Sequence, residues 1–298
     1  MSDQAPGRSP QPPARPGSGS RLVTDRDREM LGFIAEHRLV LASQVQTLLG
    51  VGESVAYRRL GGLTAKGLLE HTRLLHGQPG WYQITRAGLA LIGSDLAPPR
   101  TDLRSYKHDI GVAWLWVAAA RGAFGHVTLA VSERAMRSSD AARTLTAVRG
   151  DGSVEPVDHD ELFGVRLGGL GPRGLIRLHY PDLLLIGADG ERVAIELELS
   201  SKGRRRLETI LAGYGAEPRF ASVLYLAERA TILSEVRFCA TRLGLSELVH
   251  VQRVVPARDA RRAGGPARAR GPTAIVPARA RNRPANANAP ARPAATTR

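Results

Sequence analysis

The 298 residues carry 42 Lys and Arg against 28 Asp and Glu, a formal net charge of +14, and 43% of them are hydrophobic. That is enough chain and enough apolar content for two domains. No apolar run reaches the length of a membrane span, and the single cysteine, Cys239, excludes an internal disulfide and a cysteine-based zinc site.

The N-terminus lacks the basic-then-apolar layout of a signal peptide, so a cytoplasmic protein is expected. Charge is spread unevenly. Residues 257–298 hold ten arginines and one aspartate, +9, and residues 1–21 hold three arginines and one aspartate, +2, which leaves +3 for everything between. Both ends, 1–22 and 257–298, are rich in Pro with Gly, Ser, Ala or Arg and have no hydrophobic period, so both read as disordered tails. The whole-chain charge therefore does not locate a binding surface.

In chain order, Thr24 caps a first helix with Asp25, Asp27 and Glu29 in its opening turn, where acids suit the helix dipole. Leu31, Ile34 and Ala35 form its inner stripe. A second short helix covers 42–49. A third covers 54–66, with Ala56, Leu60 and Leu63 at the i, i+4, i+7 spacing of a buried face. Its other side presents Ser54, Tyr57, Arg58 and Thr64, with Arg59 near the edge and Lys66 at the end. Two strands at 68–75 and 81–84 follow as a hairpin bearing Arg73 and His76, and Thr85 caps a further short helix. Three helices and a hairpin in this order are the plan of a winged helix-turn-helix domain over 23–97. Such a domain places its third helix in the major groove and its hairpin on the backbone or minor groove of double-stranded DNA. The expected DNA-binding residues are Ser54, Tyr57, Arg58, Arg59, Lys66 and Arg73. The alternative use of such a domain is protein contact.

Ala97, Pro98, Pro99 and Arg100 break the pattern as a linker to a second domain over 102–256. It begins with an apolar helix at 105–120 and a strand at 127–131. The stretch 135–174 gives no clear period. Within it Asp158, His159, Asp160 and Glu161 have the composition of a metal cluster, although a Gly-rich loop favours a solvated turn.

At 182–199 the pattern is sharper. Asp182 opens the apolar run 183–186, Asp189-Gly190 supplies a tight hairpin turn, and a second strand follows. Alternation puts Val193, Ile195, Leu197 and Leu199 on one face of that strand and Ala194, Glu196 and Glu198 on the other. Carboxylates on an otherwise apolar strand are costly to bury without compensation. With Asp182 on the neighbouring strand, a hard divalent cation such as Mg²⁺ on oxygen ligands would compensate them, which makes Asp182, Glu196 and Glu198 the candidate metal ligands. Lys202 follows, one of three lysines in the chain beside 39 arginines. A compact ammonium there suits stabilisation of developing negative charge. The expected catalytic set is therefore Asp182, Glu196, Glu198 and Lys202. A helix to about 215, a strand at 220–226, a helix at 231–243 and a strand at 248–255 complete the domain.

The Pro181-Asp182 and Glu196 pair resembles the PD-(D/E)XK nuclease superfamily, in which Glu198 stands where the usual lysine sits and Lys202 follows four residues on. The resemblance implies a two-domain α+β or α/β protein, with a winged helix followed by a restriction-endonuclease-like αβββαβ core. Further matches are Tyr57-Arg58-Arg59-Leu60, Thr85-Arg86-Ala87-Gly88, His108-Asp109 and Ser132-Glu133-Arg134. With Pro181-Asp182 and the 195–202 stretch, they make residues 24–255 similar to the replication-relaxation family of actinobacterial plasmids and mobile elements. That likeness implies a role in replication, DNA relaxation or transfer, with plasmid replication or transfer proteins as partners.

Three functions compete. The first is a metal-dependent DNA nuclease or nickase, with His108, Asp109 and Glu133 approaching the same pocket. The second is a non-catalytic DNA-binding replication or transcription factor that keeps a degenerate nuclease fold. The third is an adaptor that recruits replication proteins.

Overall fold

The structure is a computed structural model that describes residues 23–74, 76–146, 162–170 and 176–254. Both tails and the cluster at 158–161 lie outside the described residues. Among the described residues no helix is long and apolar enough to cross a membrane.

Helix α1 (Asp25–Glu36) starts where Thr24 and Asp27 cap each other reciprocally. Strand β1 (Val40–Leu41), helix α2 (Ala42–Leu49) and helix α3 (Glu53–Ala65) follow. Ala56, Leu60 and Leu63 of α3 are buried, as their spacing predicts. Strands β2 (Leu69–Thr72) and β3 (Trp81–Ile84) pair antiparallel, and β1 pairs on the far side of β3, giving a sheet of order β1-β3-β2. The wing strand expected over 68–75 therefore ends at Thr72. The two residues of β1 are too few to show a period of their own. Helix α4 (Arg86–Leu91) is capped by Thr85, whose hydroxyl accepts the Gly88 N–H at 3.1 Å.

Helix α5 (Tyr106–Ala120) opens the second unit, after a 3-10 turn at Leu103–Ser105. Strand β4 (Val127–Ser132) runs directly into helix α6 (Glu133–Thr146), which the sequence pattern does not predict. Among its described side chains Met136 and Asp140 are buried, too few for an apolar stripe. The Asp140 carboxylate accepts the N–H groups of Phe163 and Gly164, both at 2.9 Å, and so holds the start of strand β5 (Val165–Leu170). Strand β6 (Ile176–His179) pairs with β5 as a separate two-stranded ribbon. Strands β7 (Leu183–Gly187) and β8 (Arg192–Glu198) form the expected hairpin, followed by helix α7 (Arg204–Gly215), strand β9 (Phe220–Ala227), helix α8 (Ala230–Arg242) and strand β10 (Val249–Arg253).

The main sheet has the order β10-β9-β8-β7-β4. It is mixed, with β8, β9 and β10 parallel and β7 antiparallel to both neighbours. The fold is thus mixed α+β, with α6 and the β5–β6 ribbon inserted between the first two strands of the sheet. The alternation expected along β8 holds. Ile195 and Leu197 pack with Val112, Leu115 and Ala119 of α5, whereas Ala194 faces Leu207, Leu211 and Tyr214 of α7.

Helix α5 also belongs to the N-terminal unit. Its Ala113 and Val117 are buried in one cluster with Met30, Ile34, Val45 and Leu60. Polar ties cross the same seam. Gln44 donates to the Ile110 carbonyl at 2.8 Å, and Ser132 donates its hydroxyl to Glu36 at 2.6 Å. Arg134 donates to the Ala35 carbonyl at 2.6 Å, and Arg38 lies 3.5 Å from Asp109 and 3.4 Å from Glu133.

Candidate active site and nucleic-acid interface

The start of β7 and the end of β8 lie at one edge of the sheet because the two strands are antiparallel. Leu183 is registered with Ile195, which sets Asp182 opposite Glu196. The Leu197 N–H projects past the first residue of β7, where no strand remains to accept it. Asp182 Oδ2 takes that N–H at 2.7 Å and lies 3.1 Å from His108 Nε2. Backbone and α5 together fix the carboxylate.

Glu196 is almost fully buried, 1% exposed. Its Oε1 lies 2.6 Å from His179 Nε2 and accepts the Tyr214 hydroxyl at 2.5 Å. Burial pushes the pKa of Glu196 up, but His179, Lys202 and the Tyr214 hydroxyl outweigh it and hold the carboxyl below its ordinary value. Glu198 behaves oppositely. Burial, helped by Glu196 and Asp182, lifts its pKa in spite of Lys202, whose Nζ lies 2.7 Å from Oε2. Burial also works against the Lys202 ammonium, yet Glu196, Glu198 and Asp182 carry its pKa above the usual lysine value. Asp182, Glu196, Glu198 and Lys202 therefore form one coupled cluster.

The compensation anticipated from a cation is supplied in part by the chain itself, through His108, His179, Tyr214 and Lys202. Sequence reasoning does not find His179 or Tyr214 as partners of Glu196, since each meets it only once β6 and α7 fold onto β8. Tyr225 is the other residue it misses. Registered with Glu196 on β9 and fully buried, it has a hydroxyl without a hydrogen-bond partner among the described residues. Burial and the neighbouring Glu196, Glu198 and Asp182 push its pKa well up, so it stays a neutral donor beside the carboxylates.

The donor set can be tested against Mg²⁺. No group of three or more His, Cys, Asp or Glu among the described residues is arranged as a metal site. Mg²⁺, however, is commonly held by only one or two carboxylates together with water and substrate phosphate. Asp182 and Glu196 meet that need. Their hydrogen bonds fall on Oδ2 and Oε1, which leaves Oδ1 and Oε2 open, with the unpartnered Tyr225 hydroxyl nearby. The residues present fit the ion.

A small pocket adjoins this cluster at the seam between the two units. His108, Asp109, Glu133 and Asp182 line it, together with Glu36, Arg38 and Arg134. The first three of these are brought beside Asp182 as the sequence suggested. Burial works against charge on His108, but Asp109 and Asp182 raise its pKa to about 10, so the imidazole is cationic at neutral pH.

On the N-terminal unit, Ser54, Tyr57 and Arg58 share the exposed side of α3, and Tyr57 is 48% exposed. Lys66 and Arg73 are exposed as well. Arg59 is different: it reaches back to Asp27 of α1 at 2.9 Å and braces the helix pair. No family model matches the chain, and no curated protein matches it either.

Proposed function

We propose that the protein binds double-stranded DNA through α3 and the wing, and that the Asp182 cluster acts on the phosphodiester backbone. The observation that carries the DNA reading is the outer face of α3, where Tyr57 stands in solvent beside Ser54 and Arg58. A ring and a guanidinium on the third helix of such a unit suit base edges and phosphates. The role in plasmid or mobile-element replication implied by the sequence resemblance belongs to this proposal. Its partners would be the element's own DNA and its replication or transfer proteins.

For the chemistry, Asp182 and Glu196 would hold Mg²⁺, while Glu198, expected as a third ligand, stays paired with Lys202 at 2.7 Å. When bound, the ion supplies a Lewis acid for the phosphoryl oxygens and lowers the pKa of water. The chain does the rest. His179 and Tyr214 keep Glu196 ionised, the Leu197 N–H and His108 aim Asp182, and the Lys202 ammonium faces negative charge developing on phosphate.

The second reading, a DNA-binding factor without catalysis, is favoured by one observation: every carboxylate of the cluster already has a donor from the chain. Incubation of supercoiled plasmid with Mg²⁺ or Mn²⁺ separates the two. Nicked or linear product from wild type, absent with Asp182→Asn, supports the nuclease. Intact plasmid that is still retarded in a gel supports the factor, and absence of retardation removes both.

A further inference from the structure

Strands β8, β9 and β10 run parallel and end together, since Glu198 is registered with Ala227 and Ala227 with Arg253. The loops that leave this edge carry Arg204, Arg205 and Arg206 at the start of α7, and Arg229 just before α8. These side chains and Arg253 are all exposed. Arg204 lies over the Phe238 ring at 5.1 Å and Arg253 donates to the Glu228 carbonyl. Among the described residues no acid pairs with Arg205, Arg206 or Arg229. Of the acids nearby, Glu235 accepts from Ser201 at 2.8 Å and Glu208 pairs with Arg242 at 2.7 Å, which leaves exposed Glu228 beside Arg229 as one acid against five arginines.

Five arginines at one sheet edge is a local concentration in a segment whose overall charge is only +3 between the tails. It also runs against the helix. Cations in the first turn of α7 oppose its dipole, and its N-cap, Gly203, supplies no side-chain hydrogen bond to relieve them. No ion pair or cap within the described fold accounts for Arg205 and Arg206 at these positions, which points to a use outside the fold.

We propose that this rim is a second duplex-contacting surface, which holds the phosphate backbone beside the Glu198–Lys202 edge while α3 reads bases elsewhere. The inference rests on the DNA-binding reading above. Guanidinium groups on three separate segments suit phosphates spaced along a backbone, and an interaction of this kind carries no sequence preference.

The test uses the full chain and a fluorescently labelled random-sequence duplex, with anisotropy read over a salt series. Arg205→Ala/Arg206→Ala/Arg229→Ala is the variant, and Arg204 is left in place because of Phe238. Affinity should fall, and the slope of log affinity against log salt should become shallower by up to ~0.9 for each phosphate no longer neutralised. The melting temperature should hold or rise, because the α7 dipole is relieved. The corresponding triple lysine variant should keep most of the slope, which separates charge from a folding defect. If the alanine variant binds like wild type while Arg58→Ala binds more weakly, the rim is not a DNA surface and the DNA reading survives. If wild type shows no binding to any duplex, both fall.

Discussion

Tyr214 donates its hydroxyl to Glu196 Oε1 at 2.5 Å, and both residues are buried. Tyr214→Phe keeps the ring against Phe220 and removes only that donor. Hydrogen bonds to charged groups contribute about 1.5–3 kcal/mol, so urea unfolding should show a loss in that range. A change within about 0.5 kcal/mol, the spread of ordinary surface substitutions, would mean that His179 alone satisfies Glu196.

His37 sits in the seam between Phe33 and Trp116, with ring centroids 4.8 and 5.4 Å away. Burial, aided by Arg134, lowers its pKa from 6.5 to about 3. The folded state therefore holds the neutral ring, while the unfolded chain takes up a proton near pH 6.5. Its contribution to stability is full above that value and is lost as pH falls toward 3. His37→Gln should flatten the decline in unfolding free energy over that window relative to wild type. Parallel curves would show that His37 is protonated in the fold.

Arg58 and Arg59 are neighbours with opposite assignments. Arg58→Ala should weaken duplex binding and, if the guanidinium reads a guanine, cost about 1–3 kcal/mol at one base position. Its melting temperature should stay put. Arg59→Ala should cost about 0.2–1 kcal/mol of stability by removing the pair with Asp27. Gel shifts and thermal melts on both variants check the pair, and exchanged phenotypes would reverse the assignment.

Lys202→Met removes the ammonium from a carboxylate that is already raised in pKa. Glu198 then meets Glu196 and Asp182 without relief, at a loss of about 1–3 kcal/mol. Adding Glu198→Gln should recover most of it, and the non-additivity measures the pair. Additive losses would show that the 2.7 Å ion pair is energetically idle.

Much of the fold could be read from local pattern. Thr24 and Thr85 announce their helices, the 56/60/63 spacing fixes the inner face of α3, and Asp189-Gly190 between apolar strands fixes the hairpin. Helix α6 could not be read, because Met136 and Asp140 are the buried residues among its described side chains and Asp140 bonds to Phe163 and Gly164, 23 and 24 residues on. The candidate site divides in the same way. Glu196 and Glu198 declare themselves as acids on one face of a strand. What surrounds them does not, since His179, Tyr214 and Tyr225 come from three other segments. Their meeting with the acids is a property of topology, which spacing along the chain cannot encode.

Helix α5 buries Ala113 and Val117 in the N-terminal cluster and Val112, Leu115 and Ala119 against the sheet. One rigid rod is thus mortised into two frames, so neither frame can swivel without breaking its own core. On the proposed reading the molecule behaves as a caliper. The bases gripped by α3 and the phosphates lying at Asp182 would keep a constant offset along the duplex, and any cut would fall at a set distance from the recognised sequence. The length of that step would be written in the fifteen residues of α5 and not in the linker before it.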